Sequence, residues 1–368
     1  MGSLAVPIQM LIVFAVALVV ALLAVPFAAA VGLAVGGALV DQPRSGELQR
    51  RPIGRTGGYG IIIAFFATLL VSLPIADRSH DFSEYSKLMG LAFGAALLIP
   101  FAAWDDAKRL PPLPQLIAQI GCAALPVLFG VRIEQISRFN IASVAPWIIA
   151  PLSIIWIVGM INALNWLDTM DGLAGGVSLI GALVLFAASL LQYGPAGRFA
   201  AQQNSIALLG LALAGACLGF LAYNFPPARI FMGTSGSMFL GYALGVISII
   251  GGAKIATAAL VLGLPILDTA LVILQRLLGR RSPFQGGDGT HLVHRLRAAG
   301  FSVRQIVALV YTLTALFGIL SLALVKEQKI IAFAFVGLII GGILLALRRR
   351  AASAARGQGS GEGHGSRA

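Results

Sequence analysis

The chain has 368 residues, 58% of them hydrophobic and 11% charged, with a mean hydropathy of +0.91. Soluble domains carry about 25% charged residues, so the composition excludes an ordinary soluble protein or a disordered chain and indicates a polytopic membrane protein. The net charge is +12, but the basic residues fall in short breaks between apolar runs, so it reads as topology and not as nucleic-acid binding.

A spanning helix needs roughly 20 apolar residues. Eleven runs qualify, at about 4–25, 57–76, 88–104, 114–131, 145–161, 172–192, 203–222, 235–251, 254–275, 303–324 and 330–347. The first has no basic segment before it and no clear cleavage site, so it is expected to stay in the mature chain. The stretch 26–40 after Pro26 either extends that span or lies along the interface. Cys122 and Cys217 sit inside apolar runs and read as buried small hydrophobes. Gly-x-x-x-Gly pairs at Gly32/Gly36, Gly215/Gly219, Gly241/Gly245 and Gly337/Gly341 are expected to let helices approach closely. No strand precedes them, which argues against a dinucleotide-binding turn.

Five polar blocks punctuate these runs. The first holds Asp41, Arg44, Arg50, Arg51 and Arg55; it is either a positive-inside anchor or a phosphate-attracting surface. The second is Trp104-Asp105-Asp106. Its adjacent carboxylates suit a hard cation such as Mg²⁺, or else a solvated helix cap. The third places Asn165, Asp168 and Asp171 at i, i+3 and i+6, on one broad side if the segment is helical, where metal or ligand binding is favoured over a structural cap. The fourth, Asn224 to Ser237, ends in a Gly/Thr/Ser turn whose free N–H groups could hold an anion. The fifth joins Asp268, the one carboxylate well inside a predicted span, to a basic loop with Asp288, His291, His294 and Arg295. Zinc is a rival there, but no cysteine stands nearby. Residues 351–368 are Gly/Ser-rich and read as a disordered cytoplasmic tail behind a membrane domain of residues 1–350.

Numbering the loops in order, the odd loops and the tail carry 18 of the 26 Lys and Arg. The positive-inside rule puts them in the cytoplasm, with the N-terminus out and the C-terminus in. Asp105, Asp106, Asp168, Asp171, Asp288, His291 and His294 all fall on that side. Glu84 and the other even-loop acids read as solvated charges. The expected fold is an all-α polytopic bundle of about eleven transmembrane helices with a two-signed chemical face toward the cytoplasm.

Taken in order, the five blocks resemble the polyprenyl-phosphate N-acetylhexosamine-1-phosphate transferases, over about residues 40–300. The His-Leu-x-His-Arg-Leu segment from His291 is more similar to the GlcNAc-1-phosphate branch than to the phospho-MurNAc-pentapeptide translocases. The resemblance implies transfer of a sugar-1-phosphate from a UDP-sugar such as UDP-GlcNAc to polyprenyl phosphate, with release of UMP, as the first step of a lipid-linked envelope glycan. It implies a bacterial plasma-membrane enzyme with Mg²⁺, or Mn²⁺ as second choice, held by Asp105, Asp106, Asp168 and Asp171, which also form the catalytic set. It makes Asn165, His291, His294, Arg295, Asp41, Arg55 and Asp288 substrate-binding candidates. The partners implied are the UDP-sugar, polyprenyl phosphate and the bilayer, with a homodimer left open and no nucleic acid.

Four positions depart from the family pattern. Thr234 stands where Phe-Met-Gly-Asp has its metal-ligand Asp, Glu47 and Gln49 replace a Lys and a His, and Val293 replaces the middle His of the last block. Two readings follow. One is an active transferase that gathers its metal with the remaining aspartates. The other is a non-catalytic paralogue that binds polyprenyl phosphate or a nucleotide-sugar. A transporter is disfavoured, because the ionisable residues cluster on one side instead of lining a path.

Overall fold

The computed structural model describes residues 6–42, 51–72, 82–108, 110–133, 135–136, 139–140, 145–191, 201–250, 254–280 and 291–359. Glu47, Gln49 and Asp288 lie outside them. The described chain is almost wholly helical: α1 Val6–Val35, α2 Gly57–Ser72, α3 Phe82–Lys108, α4 Pro112–Leu128, α5 Pro146–Leu167, α6 Leu173–Leu190, α7 Ala201–Asn224, α8 Gly233–Ile250, α9 Ile255–Val261, α10 Gly263–Leu278, α11 Leu292–Ala298, α12 Val303–Ala323 and α13 Lys326–Gly359. Two short hairpins interrupt it, β1 Val40–Asp41 with β2 Ile53–Gly54, and β3 Gln135–Ile136 with β4 Phe139–Asn140.

A helix stands at each of the eleven predicted runs, but their lengths differ. Among the described residues seven helices are long and apolar enough to cross a membrane, and eight if the pair α9 and α10, bent by 79°, forms one span. The apolar helices α2 and α4 are shorter, at 16 and 17 residues. Helix α1 runs through Pro26, so the stretch after it extends the first span. Helix α3 begins earlier than expected. That brings Glu84 into its first turn, 2% exposed, with neither carboxylate oxygen hydrogen-bonded, in place of a solvated loop charge. Helix α13 continues into the Gly/Ser-rich stretch as far as Gly359.

Helix α8 is the axis of the bundle. Every residue from Ser235 to Ile250 is buried, and α2, α3, α5, α6 and α7 pack around it. Small residues make this possible. A Cβ on Gly241 would clash with the Met160 carbonyl oxygen of α5, and one on Gly245 would touch Met160 and Ile157. Gly215 and Gly219 of α7 meet Ala17 and Ala21 of α1 in the same way. These two Gly-x-x-x-Gly pairs are helix contacts, as expected. Gly36 instead sits in a turn at φ 73, and Gly341 has no atom within 4 Å of its Cβ position. Both cysteines are buried and free.

Candidate active site

The C-terminal ends of α3, α5 and α7 and the start of α8 converge with the β1–β2 hairpin. The hairpin pairs Asp41 with Ile53, and Phe231 N–H donates to the Gly54 carbonyl at 2.9 Å. Gly57 and Gly58 N–H donate in turn to the Phe231 and Met232 carbonyls at 3.0 and 2.9 Å. This backbone lacing carries Asp41 and Arg55 to the segment 231–234, although more than 170 residues separate them in sequence. A cavity of about 440 Å³ opens there, lined by Asp41, Arg55, Asn165, Asp168, Asp171 and Thr234 among others.

Asn165, Asp168 and Asp171 do share this cavity, but not as one helix face. Helix α5 ends at Leu167, Asp168 caps it, and Gly172 at φ 76 turns the chain into α6. A glycine tolerates that left-handed backbone where other residues are strained. The turn is pinned from three sides. Gly172 N–H donates to Asn224 Oδ1 at 2.8 Å, Tyr311 Oη–H donates to the Gly172 carbonyl at 2.6 Å, and Ala228 N–H donates to Asp171 Oδ2 at 2.9 Å. Asn224 and Ser237, which donates to Asn165 Oδ1 at 2.9 Å, line the cavity and were missed as site residues. Their signal was present, since both lie in the fourth polar block.

Asp105 and Asp106 have other duties. Asp105 Oδ1 accepts from Leu110 N at 2.9 Å and closes the α3–α4 turn. Asp106 accepts from Thr234 N at 2.7 Å, Ser235 N at 3.0 Å and Ser235 Oγ at 2.6 Å. The anion expected at the α8 N-terminus is therefore the protein's own carboxylate. Unpaired N–H groups and the helix dipole favour negative charge there.

Among the described residues, no three His, Cys, Asp or Glu side chains form a group able to hold a metal ion. The four aspartates are thus not drawn to one point. A hydrated Mg²⁺ needs less, because it is held by one or two carboxylates, several waters and substrate phosphates. Burial, reinforced by the nearby charges of Asp106 and Asp171 and opposed by Arg55, pushes the Asp168 carboxyl up to about 7. A divalent cation would relieve that crowding of negative charge. The oxygen donors Asp168, Asp171 and Asn165, with the Thr234 and Ser237 side chains on the same wall, fit a hydrated Mg²⁺ and not a four-carboxylate cage.

A second, apolar groove of about 700 Å³ runs beside the cavity between α4, α5 and α10. It is lined by Leu116, Ile120, Ile154, Ile155, Val158 and Trp166 among others. One amide pair crosses it, with Asn162 Nδ2 donating to Gln119 Oε1 at 2.6 Å. His291 and His294 stand side by side near the Trp166 end, ring centroids 6.5 Å apart. His291 Nδ1 lies 2.7 Å from Asp268 Oδ2, so the carboxylate inside the span has its partner. Arg295 donates to Gln275 Oε1 at 3.2 Å. These groups do not line the carboxylate cavity.

Comparison with known proteins fits this arrangement. Residues 88–252 match the model of glycosyl transferase family 4. The chain is 32% identical to the probable undecaprenyl-phosphate N-acetylglucosaminyl 1-phosphate transferase of Bacillus subtilis (strain 168), over 86% of this chain and 85% of that one. The chain belongs to glycosyl transferase family 4. It is also 32% identical to the decaprenyl-phosphate N-acetylglucosaminephosphotransferase of Mycolicibacterium smegmatis, over 76% and 73% of the two chains. It is 33% identical to the phospho-N-acetylmuramoyl-pentapeptide-transferase of Synechococcus elongatus, over 75% and 76%. The chain is therefore a multi-pass membrane enzyme of the phosphotransferase type in family 4. These relatives are named as transferases and give the non-catalytic reading no support.

Proposed function

We propose that this protein transfers GlcNAc-1-phosphate from UDP-GlcNAc to a polyprenyl phosphate such as undecaprenyl phosphate, releasing UMP, and so starts a lipid-linked envelope glycan. The observation that carries this reading is the junction of two unlike pockets along α5. Asn165 and Asp168 face the carboxylate cavity, while Asn162 and Trp166, on the same helix, face the apolar groove. The cavity suits a water-soluble donor and the groove an isoprenoid tail. Their meeting point is where a phosphate of each would approach.

An acceptor phosphate oxygen attacks the β-phosphorus of the donor. The bond from that phosphorus to the bridging oxygen breaks, and UMP leaves with the oxygen. Both reactants are anions, so positioning and charge screening supply most of the acceleration. Arg55 on the cavity wall offsets donor charge. Asp168 and Asp171 would hold Mg²⁺, which when bound would screen the diphosphate and stabilise charge building at phosphorus. We further take α2, α4 and α13 as crossings, which makes eleven, with the site facing the cytoplasm of a bacterial plasma membrane.

The test is purified protein with undecaprenyl phosphate, Mg²⁺ and radiolabelled UDP-GlcNAc, scoring label in the lipid and UMP release. Mg²⁺-dependent lipid label is expected, abolished by chelation. The Thr234→Asp variant should reach half-maximal rate at lower Mg²⁺, because it adds a charged donor to the cavity wall. Absence of label from both proteins would overturn the proposal.

A further inference from the structure

Among the described residues, none from α12 lines the carboxylate cavity, yet two of its side chains grip the segments that do. Tyr311 Oη–H donates to the Gly172 carbonyl at 2.6 Å, and Arg304 Nε–H donates to the Pro226 carbonyl at 3.3 Å. The two stand seven positions apart and so share one face of the helix. A capping box fixes the start of that face: Gln305 N–H donates to Ser302 Oγ, and Ser302 N–H donates to Gln305 Oε1. The tyrosine lies close against the first turn of α6, where a Cβ on Gly176 would clash with its ring. Both residues fall outside the stretch 88–252 that matches the family model.

The two gripped segments are also tied to each other. Ala228 N–H donates to Asp171 Oδ2, Gly172 N–H donates to Asn224 Oδ1, and Asn224 Nδ2 donates to the Ile230 carbonyl at 2.8 Å. Asp171 thus gives one oxygen to the loop 225–230, and Oδ1 is the oxygen left for a ligand in the cavity it lines. Where that oxygen stands depends on how the turn 168–172 sits against the loop, and α12 holds both. A left-handed glycine has wide backbone freedom. The bond from Tyr311 restrains that freedom at the residue next to Asp171.

We propose that Tyr311 is a positioning residue for transfer: with Arg304 it clamps the turn 168–172 to the loop 225–230 and so aims Asp171 into the cavity. The effect on metal binding and rate rests on the transferase reading above. Tyr311→Phe keeps the ring against Gly176 and removes the bond. Tyr242→Phe is the matched control, because the Tyr242 hydroxyl donates to the Leu91 carbonyl at 2.9 Å, where α8 meets α3, and neither residue lines the cavity.

Hydrogen exchange read by mass spectrometry tests the clamp without turnover. In Tyr311→Phe the amides of both 168–176 and 225–230 are expected to exchange faster, by roughly threefold to tenfold for the loss of one hydrogen bond. In Tyr242→Phe both segments should match the wild type. Unchanged exchange at either segment of Tyr311→Phe, or equal acceleration in the control, would overturn the proposal. Mn²⁺ alone, titrated under EPR, should bind Tyr311→Phe roughly tenfold more weakly than the wild type. In the transfer assay the same variant should lower kcat by roughly tenfold and raise the Mg²⁺ needed for half-maximal rate. Its KM for undecaprenyl phosphate should stay unchanged. Equal Mn²⁺ affinity, or a loss confined to that KM, would sink the idea. If Tyr311→Phe does not fold, Arg304→Gln, at an exposed position of the same face, should speed exchange at 225–230 and weaken Mn²⁺ binding; no change in either would count equally against the clamp. A wild type that binds no Mn²⁺ and transfers nothing counts against the transferase reading alone, and the exchange data then decide the role of Tyr311.

Discussion

At the scale of single residues, the site contains two carboxylates with opposite relations to their surroundings. Asp106 is satisfied by three donors from the α8 N-terminus. Removing it leaves buried N–H groups unpaired, at about 1–3 kcal/mol each. Asp106→Ala is therefore expected to lower the thermal midpoint. Asp168→Asn, which removes a charge that burial disfavours, should hold or raise it while abolishing transfer. Scanning both variants at pH 8 beside the wild type checks this contrast.

At the scale of elements, the contact of α5 with α8 decides whether a site forms at all. Helix α5 brings Asn165 and Asp168, α8 begins at Gly233 beside Thr234, and the two cross where Gly241 has no side chain. A methyl group on Gly241 would press on the Met160 backbone. Overpacking of this kind costs about 1–3 kcal/mol, and here it also tilts the cavity wall. Gly241→Ala is expected to lower both the thermal midpoint and transfer activity, whereas Gly341→Ala, in open space, should leave both in place. The third polar block shows the limit of periodicity. Spacing alone placed Asn165, Asp168 and Asp171 on one helix face. Gly172 and its ties to Asn224 and Tyr311 break the helix, yet bring the same three residues to one cavity.

At the scale of the whole molecule, the positive-inside rule assigns the face that carries the carboxylate cavity to the cytoplasm, and the buried cysteines make that proposal testable. Cys122 and Cys217 are both 0% exposed, so the background for thiol labelling is low. An impermeant maleimide applied to intact spheroplasts should label Val325→Cys at once, and Ala298→Cys only after permeabilisation. The reverse pattern would invert the topology. Hydropathy and charge read along the chain were enough for the membrane class, the helix positions and the candidate polar blocks, because both are local and each block of polar residues is costly inside lipid. Which of those residues meet is a matter of three-dimensional packing. Asp106 reached the α8 N-terminus and left the expected metal group, Asp41 and Arg55 reached the cavity through backbone pairing with segment 231–234, and Asp268 found His291 23 residues away. Such pairings depend on helix crossings set by side-chain volume and on hydrogen bonds that close long loops, and neither has a period that a single segment can display.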